Sequence, residues 1–196
     1  AAVSFSGVEG DPVLLGWMNN WAYAEQTPTD PWRSAMTLPR TLHLEPAADG
    51  TRQVVQHLVI PEEIRTLDLE VPASSAVLAE LNAEEPFRLR GELSTASAHR
   101  LVLRFGDGAA ERDLVLAVDS GGRLVLDRSS VHEEPFAPEH TRSQPYAPAR
   151  AGDTVAFDLV VDRSCVDLEL DGGRALISQQ IFPGARTVTV LTESAA

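Results

Sequence analysis

The segment Gly16–Arg40, GWMNNWAYAEQTPTDPWRSAMTLPR, concentrates residue types suited to sugar recognition. All three Trp of the chain fall within the 16 residues from Trp17 to Trp32, beside Tyr23, Asn19 and Asn20. Indole faces stack on sugar C–H groups while side-chain amides read hydroxyls. The competing reading packs Trp17 and Trp21 into the core of a sheet, where large aromatics also reside. Carboxylates offer a second chemistry, because glycoside hydrolysis needs two carboxyl groups roughly 5–9.5 Å apart. Glu62/Glu63, Glu84/Glu85 and Glu133/Glu134 are adjacent pairs in turn-like or Pro-flanked contexts. Asp167 and Glu169 share one strand face opposite Val166, Leu168 and Leu170, and alternation gives that face to solvent. All of these carboxylates are expected to be solvated surface charges.

Other chemistries find little footing. There is no GxSxG elbow, and Gly106-Asp107-Gly108 and Gly121-Gly122 read as hairpin turns rather than phosphate loops. Cys165 is the single cysteine; it falls on the same outward face and reads as an incidental exposed thiol, with only Arg163 near enough to acidify it. The five His, at 43, 57, 99, 132 and 140, form no HExxH or His-x-x-x-His pair. No metal, cofactor or catalytic residue is assigned.

The elements that must position these residues read as strands. Val13 to Tyr23 alternates, placing Val13, Leu15, Trp17, Asn19, Trp21 and Tyr23 in one phase if it stays extended. Met36–Leu44 and Arg52–Ile60 are two further apolar runs, separated by turn residues Pro46 and Asp49-Gly50. Three such strands are marginal alone and need a cover. Pro61 to Arg65 reads as a connector in which Pro61 opens a single helical turn. Short alternating runs follow, at 87–93, 99–105, 113–119, 123–127, 154–162, 164–170, 174–181 and 186–192, with Ser120-Gly121-Gly122 and Asp171-Gly172-Gly173 as turns. Ala76 to Asn82 fits a short helix or a strand. Ser129–Arg150 carries Pro135, Pro138, Pro145 and Pro148 and is expected to run over the surface. The pattern is all-β and indicates a β-sandwich.

Composition narrows the partners. The chain has 196 residues and a net charge of −13; its 16 basic residues are all Arg. That balance excludes nucleic acid, whose affinity comes from neutralised phosphates. No apolar run approaches the ~20 residues of a membrane span. The opening AAVSFSGVEGDP is not a secretory signal and reads as the interior of a longer chain.

Two motif blocks resemble glycoside hydrolase family 32, the levanases, exo-inulinases, invertases and related fructosidases. GWMNNW at 16–21, TPTDPWR at 27–33 and LPR at 38–40 resemble the family's last-blade motif. VVDRSCVDLELDGG at 160–173 and IFPGA at 181–185 resemble the hairpin of its C-terminal module. The bacterial levanase and exo-inulinase branch is the nearest in pattern. The resemblance implies the end of the last blade of a five-bladed β-propeller at 1–60, a linker at 61–70 and a β-sandwich at 71–196. It further implies a secreted parent that hydrolyses terminal β-D-fructofuranosyl units of fructans or sucrose. Trp21 would line a wall of the fructose pocket, with Asn19 and Asn20 shaping its loop, Trp17 packing, and Trp32 and Arg33 holding the loop against the sheet.

The family's NDPN-like, RDP and EC motifs, which carry its Asp, Asp and Glu, do not occur here. The resemblance therefore implies that this chain supplies a pocket wall and a stabilising sandwich, with no catalytic group. A missing propeller portion or partner chain is expected to cover the exposed strands of 1–60, or self-association to replace it. The alternatives are a stand-alone β-sandwich carbohydrate-binding module and a subunit that completes another chain's propeller.

Overall fold

A computed structural model of the chain describes residues 1–7, 9–47, 49–95, 99–106, 108, 110–119, 122–142, 146–147 and 152–194. The first sixty residues form a small antiparallel sheet. Its strands are β1 (Ala2–Ser4), β2 (Val13–Met18), β3 (Ala35–Met36), β4 (Arg40–Pro46) and β5 (Arg52–Leu58), in the order β1-β2-β4-β5 with β3 beside β2. Pro39 precedes β4, so the run expected at 36–44 is divided between β3 and β4. The extended phase also stops early: β2 ends at Met18, and Tyr23 leaves the row of Trp17 to become buried elsewhere.

The remaining strands build two facing sheets. The first runs β12-β11-β10-β9-β16-β7, from β7 (Ala76–Asn82), β9 (His99–Phe105), β10 (Arg112–Val118), β11 (Leu124–Asp127), β12 (Tyr146–Ala147) and β16 (Thr187–Ser194). The second runs β15-β14-β13-β8-β6, from β6 (Arg65–Asp68), β8 (Phe87–Ser94), β13 (Thr154–Asp162), β14 (Cys165–Leu170) and β15 (Ala175–Gln180). Ala76–Asn82 is thus a strand. β6 pairs parallel with β8, so residues 65–68 of the expected linker belong to the sandwich sheet. Leu89, Leu103, Leu116, Leu126, Leu159 and Leu168 come from the inner faces of both sheets and are fully buried, forming the core.

The described residues of the excursion after β11 include a short helix, α1 (Pro138–Arg142), and the edge strand β12. Pro145, Pro148 and the turn residues Asp107, Ser120 and Gly121 lie outside the described residues. The strands on either side of residues 120–122, β10 and β11, pair antiparallel.

The sandwich itself covers part of the small sheet. The outer face of β14 was expected in water; it lies under the small sheet instead. Asp167, 3% exposed, accepts a hydrogen bond from Leu38 N at 3.2 Å and one from Ser178 Oγ, with Arg40 at 3.9 Å. Burial pushes the Asp167 carboxyl up. Glu169 accepts from Leu58 N at 3.0 Å and pairs with His57 Nδ1 at 2.9 Å. Gln56 N donates to Gly173 O at 2.9 Å, carrying a backbone bond across the seam. Both carboxylates thus satisfy backbone donors of the small sheet that would otherwise be buried without partners. Cys165, on the same face, is half-buried rather than exposed, and burial raises its thiol to about 11, away from reactivity.

Candidate functional site

The tryptophan loop begins where β2 stops. Trp17 stands opposite Met36 in the β2–β3 ladder, and Met18 is buried. Asn20 N donates to Asn19 Oδ1 at 2.8 Å, and Ala22 N to Asn20 Oδ1 at 2.9 Å. Asn19 Nδ2 donates to Ser34 Oγ at 3.2 Å. Successive Asn carbonyls accepting from nearby backbone N–H groups turn the chain sharply. Both Asn side chains are thereby engaged in shaping the loop.

Trp21 stands at the apex of that turn, 88% exposed. Its ring lies 5.1 Å from that of Trp17, tilted by 51°. A large indole in water, braced on one side by a second indole and rooted in a hydrogen-bonded turn, is a ready stacking platform. The rest of the loop is tied by its own polar groups. Thr29 Oγ1 donates to Trp32 O at 2.6 Å, and Arg33 Nη1 to the same oxygen at 3.1 Å; the Asp30–Pro31 peptide is cis. Trp32 is 44% exposed, and its carbonyl oxygen is the acceptor that ties Thr29 and Arg33 together.

Two residues after Trp21, Tyr23 faces inward. Its ring meets His140 edge-on at 4.8 Å, and its hydroxyl accepts from Arg128 Nη2 at 3.4 Å. His132, Phe136 and Phe182 complete this cluster, with His132 and His140 rings 4.5 Å apart. Burial first, then the Arg128 charge, lowers His132 to about 4 and His140 to about 3. Sequence reasoning missed Arg128. It follows Asp127 at the end of β11 and carries no spacing signal of its own.

The adjacent Glu pairs, Glu62/Glu63, Glu84/Glu85 and Glu133/Glu134, are all exposed. Asp167 and Glu169 are occupied in the seam. Among the described residues, no group of three or more His, Cys, Asp or Glu could hold a metal ion. No helix among them is long and apolar enough to cross a membrane. The arrangement thus leaves the Trp21 indole open to solvent on a turn fixed by Asn19 and Asn20.

Comparison with known proteins gives one consistent result. The model of the glycosyl hydrolases family 32 N-terminal domain matches residues 1–57, and that of the family 32 C terminal matches residues 50–195. The levanase of Bacillus subtilis (strain 168) is 32% identical over 200 residues, covering 93% of this chain and 29% of that protein. The extracellular exo-inulinase of Aspergillus awamori is 30% identical over 205 residues, covering 96% of this chain and 37% of the relative. The crystal structure of the Aspergillus awamori exo-inulinase superposes with a TM-score of 0.74 at 24% identity, over 98% of this chain and 41% of that one. The β-fructofuranosidase of Schwanniomyces occidentalis, complexed with fructosyl-erythritol, gives 0.72 at 18% identity, over 100% and 44%. The chain spans well under half the length of these relatives.

Proposed function

The chain belongs to glycosyl hydrolase family 32, and from that premise we propose that it is the C-terminal portion of a β-fructofuranosidase of levanase or exo-inulinase type. The parent protein hydrolyses terminal β-D-fructofuranosyl units of fructans or sucrose and works outside the cell. Residues 1–60 contribute the end of the last propeller blade, 61–70 the link, with β6 within it, and 71–196 the stabilising sandwich. Trp21 lines a wall of the fructose pocket, and Asn19 and Asn20 shape its loop. The acid–base and nucleophilic carboxylates come from upstream blades.

The observation that carries this reading is the almost fully exposed Trp21 on a loop whose polar groups are already spent on fixing its shape. Elsewhere the small sheet leaves Val3, Phe5, Met36, Leu44 and Val54 exposed, a surface that suits cover by further propeller strands. The carbohydrate-binding-module reading gains nothing from the geometry, because all three Trp lie outside the sandwich.

Fructose release from levan and inulin tests the proposal. The 196-residue chain alone is expected to release none, and a longer protein that includes the upstream blades to release it readily. In that longer protein, Trp21→Ala is expected to raise KM about tenfold, the loss of ~1.4 kcal/mol of stacking. Activity of the isolated chain would overturn the assignment. An unchanged KM would remove Trp21 from the pocket.

A further inference from the structure

Beneath the tryptophan loop, where the small sheet meets β15, lies a cavity of about 140 Å³ bordered by Asn19, Thr37, Arg128, Ser178, Gln179 and Gln180. Its polar lining is under-used. Gln180 is 2% exposed, and neither its Nε2 nor its Oε1 has a partner. Gln179 Nε2 donates to Leu126 O at 3.0 Å while its Oε1 is unpartnered. Arg128 is 3% exposed; Nη1 donates to Gln180 O at 3.0 Å, Nη2 reaches Tyr23 Oη, and Nε is unpartnered.

The charges of this region do not balance. Both partners of Arg128 are neutral oxygens, and no described carboxylate pairs with it. The one buried carboxylate nearby, Asp167, holds Leu38 N and Ser178 and is answered by Arg40. His132 and His140 are neutral near pH 7, and the Arg128 charge helps keep them so. Arg128 thus carries a buried positive charge that no described carboxylate answers. Water in the cavity would satisfy the orphan amide atoms but leave that charge unanswered, and an unpaired buried charge is costly.

We propose that this cavity is a binding site for a small monovalent anion, of chloride or formate size, held as the counter-charge of Arg128 with the Gln180 amide as a second donor. Its volume equals that of about four to five liquid waters, enough for such an ion with waters beside it. Trp17 and Asn19, which brace and shape the Trp21 loop, also border the cavity, but the charge of Arg128 needs an answer whatever Trp21 binds.

Thermal unfolding of the 196-residue chain in sodium chloride or bromide, against sodium gluconate at equal ionic strength, tests the proposal. Chloride and bromide are expected to raise Tm saturably. At 100 times the dissociation constant the folding equilibrium shifts about 100-fold, a Tm rise of about 5–10 °C. Arg128→Gln is expected to remove the difference between the salts. If that variant does not fold, crystals of the unaltered chain grown in bromide decide, through an anomalous peak within hydrogen-bond reach of the Arg128 guanidinium. Equal Tm in all three salts together with no bromide peak would overturn the site. The same titration on a longer protein separates two sources of negative charge. A persisting anion effect supports a free ion; its loss there assigns the counter-charge to a carboxylate of the upstream chain and overturns the free-ion proposal.

Discussion

His140 is fully buried beside His132, Tyr23 and Phe136, and acid must charge it inside the protein or unfold the protein to charge it outside. The ordinary imidazole value is near 6.5; the folded values are about 4 for His132 and about 3 for His140. Between pH 6.5 and those values the unfolded chain binds more protons, so stability falls as pH falls. Each histidine contributes a slope of about 1.4 kcal/mol per pH unit in that window, and nothing above it. Urea unfolding of His140→Phe between pH 7 and 4 is expected to show a shallower pH dependence than the unaltered chain by about that slope. This cluster was not legible in the sequence, since His132 and His140 match no ligand spacing and meet Tyr23 only through the fold. Trp21 was legible as a candidate by type and company. Its exposure was not, because the competing core reading fits the same residues until the Asn19–Asn20 turn breaks the strand.

At the scale of elements, the seam decides what a strand's outer face means. Alternation along β14 correctly separates Val166, Leu168 and Leu170 from Asp167 and Glu169. It cannot say that strands more than a hundred residues earlier cover the second set. The Asp171-Gly172-Gly173 turn makes the same point. Its hairpin role is evident from the residues, but its contact with β5 is not. A Cβ on Gly173, at φ +87°, would meet Gln56 O at 2.6 Å and Val55 Cγ1 at 2.8 Å, whereas one on Gly172, at φ +61°, meets nothing within 4 Å. Gly172→Ala is therefore expected to cost about 1 kcal/mol of backbone strain, and Gly173→Ala about 3 kcal/mol, as the hairpin is pushed off the small sheet. Comparing the two variants by urea unfolding separates turn strain from docking.

For the whole molecule, the all-β class and the order of small sheet then sandwich were readable from short alternating runs and Gly-rich turns. The parallel placement of β6 was not, because a four-residue strand inside a connector has no distinguishing period. That strand anchors the chain after residue 64 within the sandwich, while Asp167, Glu169, Arg40 and the Gln56–Gly173 bond hold everything before it. The exposed stretch Pro61–Glu63 between them makes little contact of its own. Covalent continuity there is consequently dispensable. A chain nicked at a protease site inserted between Glu62 and Glu63 should elute as a single native species and part into two peptides only in denaturant; separation on a native column would show instead that the peptide bond, and not the seam, keeps the halves together.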